Sequence, residues 1–237
     1  MKKLLIISIL SIATIITISG CGGGGDSSNE GEIIHNGYTY KSVKSPITGR
    51  IWLDRNIGAA EVCTSYNDVA CYGDYFQWGR NPDGHEDSQS GTTPTQATNI
   101  SNVGHSLFIT TNYANRYDWA YNVDPSGFSR SMQWIKTDGS SVCPKGYRVP
   151  TYNELAQEVV GHIHNRDEAF NSFLKLPSAG YRMINGVFAF VGEEGGYWSS
   201  DPNNPDTAKG GLLKKYSAMG VAELNRGFGL SVRCIKD

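Results

Sequence analysis

The apolar and polar positions of this chain alternate in short runs, with Gly, Pro and Asn between the runs. The last run is the clearest, because Phe228, Leu230, Val232 and Cys234 alternate with Gly, Ser and Arg. Successive side chains of a strand point to opposite faces of its sheet. The run therefore predicts a strand with Cys234 on its buried face.

Other runs predict further short strands. In "YTYKSVKSPITGRIWLDRNIG", two apolar runs flank a turn cluster at residues 46–49, which is typical of a β-hairpin. After Pro177, the segments "GYRMI", "VFAFV", "GYWSS", "YSAMG" and "GLSVRCIK" are separated by Gly or polar residues. With 28 Gly in 237 residues, the chain is predicted to consist largely of strands and turns.

Two segments predict helices instead. In "PTYNEL", Thr151 and Glu154 have the spacing of a capping box, in which each side chain bonds the backbone N–H of the other residue. Asn165 and Glu168 repeat this spacing in "NRDEAFNSFL". The pattern therefore predicts short strands and two short helices, joined by turns and loops.

Residues 81–141 show no clear periodicity. They are dominated by Ser, Thr, Asn, Gly and Asp, with apolar islands such as "SLFITT" and "NRYDWAYNV". A segment of this kind is typical of a functional loop, or of elements that the pattern does not reveal.

Composition and charge exclude several classes of protein. Hydrophobic residues make up 39% and charged residues 19% of the chain, which is enough apolar material for a core and unlike a disordered protein. Its 21 basic and 23 acidic residues give a net charge of −2, so nucleic acid is not an expected partner. Neither a nucleophile elbow nor a phosphate-binding glycine loop is present in the sequence.

The N-terminus predicts export and a lipid anchor. Residues 1–20 have the two lysines and the short apolar run of a signal peptide. Their end, "ISGC", resembles the bacterial lipobox, which implies a diacylglycerol on the thiol of Cys21, cleavage before it and acylation (for example by palmitate) of the new amine. The alternative is a plain signal peptide with an unmodified cysteine.

Residues 21–32 are rich in Gly and Ser and predict a flexible tether. Several acyl chains hold a protein stably on a membrane. Gly22, rather than an aspartate, follows Cys21, which by analogy with enteric bacteria favours the outer membrane. We therefore expect a lipid-anchored protein of the bacterial cell envelope, with its folded domain at residues 33–237.

The other four cysteines, Cys63, Cys71, Cys143 and Cys234, predict disulfides, because their number is even and the protein is exported. Four cysteines allow three pairings. Cys63 and Cys71 are close enough to close a local loop, which leaves Cys143 for Cys234. A zinc site is the alternative, but no C-x-x-C pair supports it.

A series of longer motifs carries a family resemblance. In order they are "WLDRNIGA", "YGDYFQWGRNPDGHE", "CPKGYRVPTYNELAQE", "LPSAGYR", "GGYWSS" and "GFGLSVRCIKD". The chain resembles the Fibrobacter succinogenes major paralogous domain (FISUMP) over residues 33–237. Its C-terminal half is similar to the Lcl C-terminal domain family and, more distantly, to the sulfatase-modifying-factor branch of C-type-lectin-like folds. The resemblance implies a disulfide-stapled, C-type-lectin-like α+β domain with small twisted antiparallel sheets, two or three short helices and long loops. It also implies that the chain ends meet in one small sheet, and it supports the Cys143–Cys234 pairing.

The resemblance also bears on chemistry. Its catalytic relatives, the formylglycine-generating enzymes, bind copper through a close cysteine pair, and Cys63 and Cys71 differ from that pair in spacing and position. The E-P-N and Q-P-D triplets of calcium-binding lectins are absent. We expect a non-catalytic domain without a cofactor or metal centre. Structural calcium at "DPNNPD" is an alternative to a simple turn cluster, and "GHIHNRD" is a weak metal motif on an expected solvated loop.

The aromatic residues divide into two predicted groups. Those within the family motifs are predicted to be core: Trp52, Tyr75, Phe76, Trp78 and Trp198. Aromatic residues of segment 81–141 and polar residues of the loop "DPNNPD" are the candidate ligand-binding residues, the former through ring stacking with core packing as their alternative: Trp119, Tyr121, Trp134, Asp201, Asn203, Asn204 and Asp206.

These observations predict a membrane-anchored lipoprotein with a lectin-like binding domain for a glycan or a protein. The alternatives are a structural envelope lipoprotein without a dedicated ligand, and a divergent enzyme of the formylglycine-generating type.

Overall fold

The computed structural model describes residues 31–237, apart from the side chains of Ala218 and Val221. The predicted signal peptide, Cys21 and most of the predicted tether lie outside the described residues. The strands are β1 (Ile33–His35), β2 (Tyr38–Tyr40), β3 (Ser42–Lys44), β4 (Ile51–Leu53), β5 (Phe76–Gln77), β6 (Thr92–Thr93), β7 (Phe108–Ile109), β8 (Tyr147–Arg148), β9 (Tyr181–Arg182), β10 (Phe188–Ala189), β11 (Gly195–Pro202), β12 (Thr207–Lys214), β13 (Ser217–Asn225), β14 (Gly229–Leu230) and β15 (Ile235–Lys236). The α-helices are α1 (Phe128–Trp134), α2 (Tyr152–Val159) and α3 (Arg166–Asn171), and two 3₁₀ turns span Val69–Cys71 and Tyr113–Asn115.

The strands form five small sheets, so the described part of the chain is a sheet-rich α+β structure. One sheet has the order β3-β4-β15-β8, and Ile235 of the last strand pairs with Trp52 of β4. The beginning and the end of the domain therefore meet in one sheet. A second sheet has the order β10-β9-β14-β5, and a third has the order β11-β12-β13. The short β6–β7 pair is parallel, unlike the antiparallel sheets predicted.

The predicted hairpin and both predicted helices are confirmed. Strands β3 and β4 flank a turn in which the N–H of Ser45 donates to the carbonyl of Arg50. Thr151 and Glu154 form a capping box at the start of α2, and the side chain of Asn165 caps α3. Local hydrogen bonds suffice to fix these boundaries, which explains why the sequence reveals them.

Helix α1 and strand β12 lack such signals and were not predicted. Helix α1 begins after Gly127, which has no side chain to cap it, and lies within the polar segment 81–141. Strand β12 contains two consecutive glycines, Gly210 and Gly211, and is paired on both sides by β11 and β13. Tertiary contacts, rather than the local conformational preference of the sequence, therefore determine both elements.

The disulfides join Cys63 to Cys71 and Cys143 to Cys234, as expected, with Cα–Cα distances of 5.1 and 5.9 Å. Cys234 is fully buried, but the single strand predicted for the final run is not formed. Strand β14 ends at Leu230 and β15 begins at Ile235, and Ser231 and Arg233, predicted on the opposite face, are buried as well. The family-motif aromatics are core residues, also as predicted: Trp52, Tyr75, Phe76, Trp78 and Trp198.

Arg233 is buried and connects the last strands to the rest of the domain by hydrogen bonds. Its Nη1 donates to the carbonyl oxygens of Leu53 and Leu174, at 3.2 and 2.6 Å, and its Nη2 donates to Oδ1 of Asn56 at 3.0 Å. Burial lowers the pKa of the guanidinium to about 10. The conformation around the C-terminus thus depends on residues distant in the sequence.

Candidate ligand-binding site

Four buried charged residues hold segment 81–141 against the core. Arg130 donates to both carboxylate oxygens of Asp118, at 2.6 and 2.8 Å, and its Nε lies 3.3 Å from Asp124. Arg226 donates to Asp118 at 3.2 Å. We call Asp118, Asp124, Arg130 and Arg226 the ion cluster. Buried charges are stable only when paired in this way, so the cluster fixes the segment in one position.

Two tryptophans, Trp78 and Trp119, pack against the arginines of the ion cluster. The guanidinium carbons of Arg130 and Arg226 lie 5.3 and 4.9 Å from the ring centre of Trp78. The indole N–H of Trp119 donates to the carbonyl of Trp78 at 2.8 Å, and Arg130 lies 5.2 Å from the Trp119 ring. These cation–π contacts add to the ionic ones in a region shielded from water.

Arg226 also binds a second loop, at residues 203–207. Its Nη2 donates to the carbonyl of Asn204 at 2.6 Å, and its Nε donates to the carbonyl of Thr207 at 3.3 Å. Burial, together with the charge of Arg130, lowers the pKa of Arg226, and Asp118 opposes this effect. One buried side chain thus positions two surface loops relative to each other.

The first loop, residues 112–117, is a tight turn directly before Asp118, the residue that Arg226 binds. Asn112 caps it with a reciprocal capping box to Asn115. Arg116 and Tyr117 follow with φ of 54° and 56°, in the left-handed region that non-glycine residues rarely adopt. Backbone strain of this kind is often found at ligand sites, where the surrounding structure maintains it. Here the carbonyl of Tyr117 accepts from the N–H of Gly227 at 2.8 Å.

The two loops enclose a surface cleft of about 340 Å³, which we call the tyrosine cleft. Its lining residues are Tyr113, Ala114, Arg116, Tyr117 and Asp206. The ring of Tyr113 is 83% exposed and stands nearly perpendicular to that of Tyr117, at 69° and 6.3 Å between centres. Exposed rings beside polar groups are typical of ligand sites.

An ion pair joins the two sides of the tyrosine cleft. The Nε of Arg116 donates to Oδ1 of Asp206, and the Nη1 of Arg116 donates to the hydroxyl of Tyr121 at 3.2 Å. The side chains of Arg116 and Asp206 are 45% and 36% exposed. The hydrogen bond to Asp206 raises the pKa of Arg116. Tyr121 and Asp206, both predicted ligand residues, therefore come together at this cleft.

The structure corrects the prediction for the two tryptophans. Trp119 and Trp134 are fully buried, so neither offers an exposed ring face to a ligand. Trp119 contacts the ion cluster, and Trp134 packs 6.0 Å from Trp78 in the main core. The alternative of core packing holds for both.

The polar residues of the "DPNNPD" loop do not converge on one point. Asp201 accepts from the N–H of Tyr152 at the start of α2. Asn203 donates to the hydroxyl of Thr207, while Oδ1 of Asn204 accepts backbone N–H groups of its own turn. The two carboxylates of the loop thus have separate partners, Tyr152 for Asp201 and Arg116 for Asp206, which does not fit a site where calcium collects six to eight oxygen ligands.

A second polar cluster, Asp83, His85 and Glu86, has atoms close enough to hold a metal ion. However, the N–H of Gln77 donates to Nε2 of His85 at 3.1 Å, so the proton of the neutral ring lies on Nδ1. Nδ1 then donates to Asp83 at 2.8 Å and lies 3.1 Å from Glu86. A metal ion at Nδ1 would need the position of that proton. The cluster therefore fits a buried hydrogen-bond network better than a metal centre.

Sequence reasoning missed Tyr113, Arg116 and Tyr117. A signal was present, since tyrosines recur at positions 113, 117 and 121. The spacing of four suggests a helix face, but Arg116 and Tyr117 instead adopt left-handed conformations. The tyrosines therefore come together through a turn rather than a helix.

Comparison of the chain with models of known families, with curated proteins and with solved structures finds no match. Within residues 31–237, no helix is long and apolar enough to cross a membrane.

Proposed function

We propose that this protein is a glycan-binding lipoprotein of the bacterial cell envelope. A lipid on Cys21 anchors it, most naturally in the outer membrane, and a lectin-like domain of the FISUMP kind carries the binding site. The observation that supports recognition is the tyrosine cleft, where the exposed ring of Tyr113 and the half-buried ring of Tyr117 stand beside the Arg116–Asp206 ion pair. Aromatic faces contact the C–H faces of sugars, and charged side chains bond their hydroxyls.

The proposed domain is not catalytic. Formation of the two disulfides leaves no free thiol among Cys63, Cys71, Cys143 and Cys234, whereas copper binding of the formylglycine-generating type needs a cysteine pair. Binding is also proposed to be independent of calcium, because the carboxylates of the neighbouring loop have separate partners, with Asp201 accepting from Tyr152 and Asp206 from Arg116.

A glycan array probed with the full-length protein in detergent tests the proposal. We expect capture of at least one glycan class, unchanged by a calcium chelator and abolished in Tyr113→Ala. Tyr216→Ala is the matched control, because Tyr216 is also 83% exposed but does not line the cleft. Capture that survives Tyr113→Ala would place recognition elsewhere.

A structural role in the envelope is the second candidate function, and a different surface supports it. Val69 and Val191 are 73% and 47% exposed and line an apolar groove beside Phe188 and Tyr72. Exposed apolar surface of this kind suits packing against a neighbouring protein. Loss of cross-links to envelope proteins in Val69→Ser/Val191→Ser, together with a negative glycan array, would favour this function.

A further inference from the structure

The charges that line the tyrosine cleft balance each other. Among its lining residues, the charged ones are Arg116 and Asp206, and they form an ion pair. The neighbouring charges of the ion cluster are buried and paired among themselves. The cleft therefore presents no net charge to a ligand.

The Arg116–Asp206 pair nevertheless keeps hydrogen-bonding capacity. A guanidinium has five N–H donors, and a carboxylate has two oxygens with about four acceptor sites. Arg116 directs one N–H to Asp206 and one to Tyr121. Two neighbouring hydroxyls of a ligand can accept from Arg116 and donate to Asp206 while the ion pair stays intact.

An acidic ligand is disfavoured at the same place. A carboxylate or phosphate cannot donate a hydrogen bond to Asp206, and its charge would lie beside the charge of that residue. It could accept from the free N–H groups of Arg116 only while its charge is repelled by the neighbouring Asp206. Like charges brought together in this way act against a ligand as effectively as missing contacts do.

The two tyrosine rings add a shape requirement. Tyr113 offers an open ring face, and Tyr117 stands across it at 69°. Such a corner accommodates a flat ring-shaped ligand that stacks on one ring and meets the edge of the other. A hexopyranose has this shape, with an apolar face of C–H groups and hydroxyls around its rim.

We infer that the tyrosine cleft binds a neutral hexopyranose unit, stacked on Tyr113, whose adjacent hydroxyls bridge Arg116 and Asp206. This inference rests on the proposed glycan-binding function and specifies its ligand class. It makes Asp206 the residue that excludes acidic sugars.

Calorimetric titration of the full-length protein in detergent tests the inference. The probes are neutral oligomers of glucose, galactose and mannose, and the matched uronic acid oligomers. We expect at least one neutral oligomer to bind at least about tenfold more tightly than its uronic acid counterpart. Tyr113→Ala should weaken that binding by about tenfold or more, whereas Tyr216→Ala should leave it unchanged.

Asp206→Asn gives the sharpest result. It removes the negative charge and frees Arg116, so it should weaken the binding of the neutral oligomer and strengthen the binding of the matched uronic acid oligomer. Tighter binding of uronic acids by the unmodified protein would overturn the inference and leave glycan binding intact. If none of the oligomers binds, or if Tyr113→Ala has no effect on those that do, the proposed function and the inference both fail.

Discussion

Arg226 and Asp118 form an ion pair in which neither side chain is exposed, with Nη1 3.2 Å from Oδ2. The same arginine donates to the carbonyl of Asn204 on the opposite side of the tyrosine cleft. Because one guanidinium bonds both Asp118 and the loop that carries Asp206, the geometry of the cleft depends on this buried pair. A change in this buried ion pair is therefore expected to change the shape of the tyrosine cleft at the surface.

Arg226→Lys should therefore destabilise the protein and weaken ligand capture together. A single ammonium cannot reach Asp118 and the carbonyl of Asn204 at once. Asp118 keeps its pairing with Arg130, so the expected cost is that of a buried group left without its hydrogen bond, about 1–3 kcal/mol. Urea unfolding measures the loss. Arg116→Lys is the control, because Arg116 is exposed; its unfolding midpoint should stay close to that of the unmodified protein. An unchanged midpoint for Arg226→Lys would contradict the role of the ion cluster.

Substitution by Phe should destabilise the protein to different extents at the two buried tryptophans, Trp119 and Trp134. Trp119→Phe leaves the carbonyl of Trp78 without its donor, whereas the indole N–H of Trp134 has no hydrogen-bond partner to lose. We expect Trp119→Phe to cost about 1–3 kcal/mol more than Trp134→Phe. Paired melting and binding curves check this, with binding falling in step with stability. If Trp119→Phe keeps the melting temperature of the unmodified protein but loses ligand binding, Trp119 contributes directly to the ligand site.

Removal of the long-range disulfide should cost more than removal of the local one. The chain-entropy model gives about 4.6 kcal/mol for the Cys143–Cys234 loop and about 2.5 kcal/mol for the Cys63–Cys71 loop, whose separations are 91 and 8 residues. Double Ala variants and urea unfolding provide the comparison. Peptide mapping of the native protein should recover these two links, and a Cys63–Cys143 link would refute the pairing.

Asp74 should make stability depend on pH. Burial, with added repulsion from Glu86 and Asp87, raises its pKa to about 7. The folded state then binds a proton that the unfolded state has released, so stability falls as pH rises from about 4 to about 7, by at most about 1.4 kcal/mol per unit. Asp74→Asn should flatten this fall and melt higher than the unmodified protein at pH 8.

Melting curves at pH 5 and pH 8 check the effect of Asp74. Asp87→Asn is the control, since it removes only the weaker of the two charge repulsions and leaves the half-buried carboxyl of Asp74, so its pH dependence should fall only slightly below that of the unmodified protein. Equal pH dependence in Asp74→Asn and the unmodified protein would show that Asp74 does not titrate in this range.

The proposed anchor is tested by Cys21→Ser. We expect this variant to lose labelling by an alkyne fatty acid and to leave the detergent phase on partitioning. Cys63→Ser serves as the control, because the disulfide cysteines should take no lipid. Detergent partitioning of Cys21→Ser that matches the unmodified protein, with no label in either, would refute the lipoprotein assignment.

Part of the candidate site could be predicted from the sequence. Tyr121 and Asp206 were among the predicted ligand residues, and they meet at the tyrosine cleft through Arg116. The tryptophans of the same segment were expected at the surface but lie in the core. Composition marks residues 81–141 as unusual, but it does not tell which of their aromatic side chains turn inward.

The sequence by itself determined what depends on neighbouring residues. The capping residues Thr151 and Asn165 start two helices, and the turn at residues 46–49 closes a hairpin, because the hydrogen bonds that decide them are local. The alternation of the final run predicted a single strand with one buried face, but the run forms two short strands, and Ser231 and Arg233 are buried together with Cys234. Only the tertiary structure decided the positions of Trp119 and Arg226 and the pairing of Arg116 with Asp206. Their partners lie far along the chain, and a buried charge such as that of Arg226 is stable only where the fold also brings its partner.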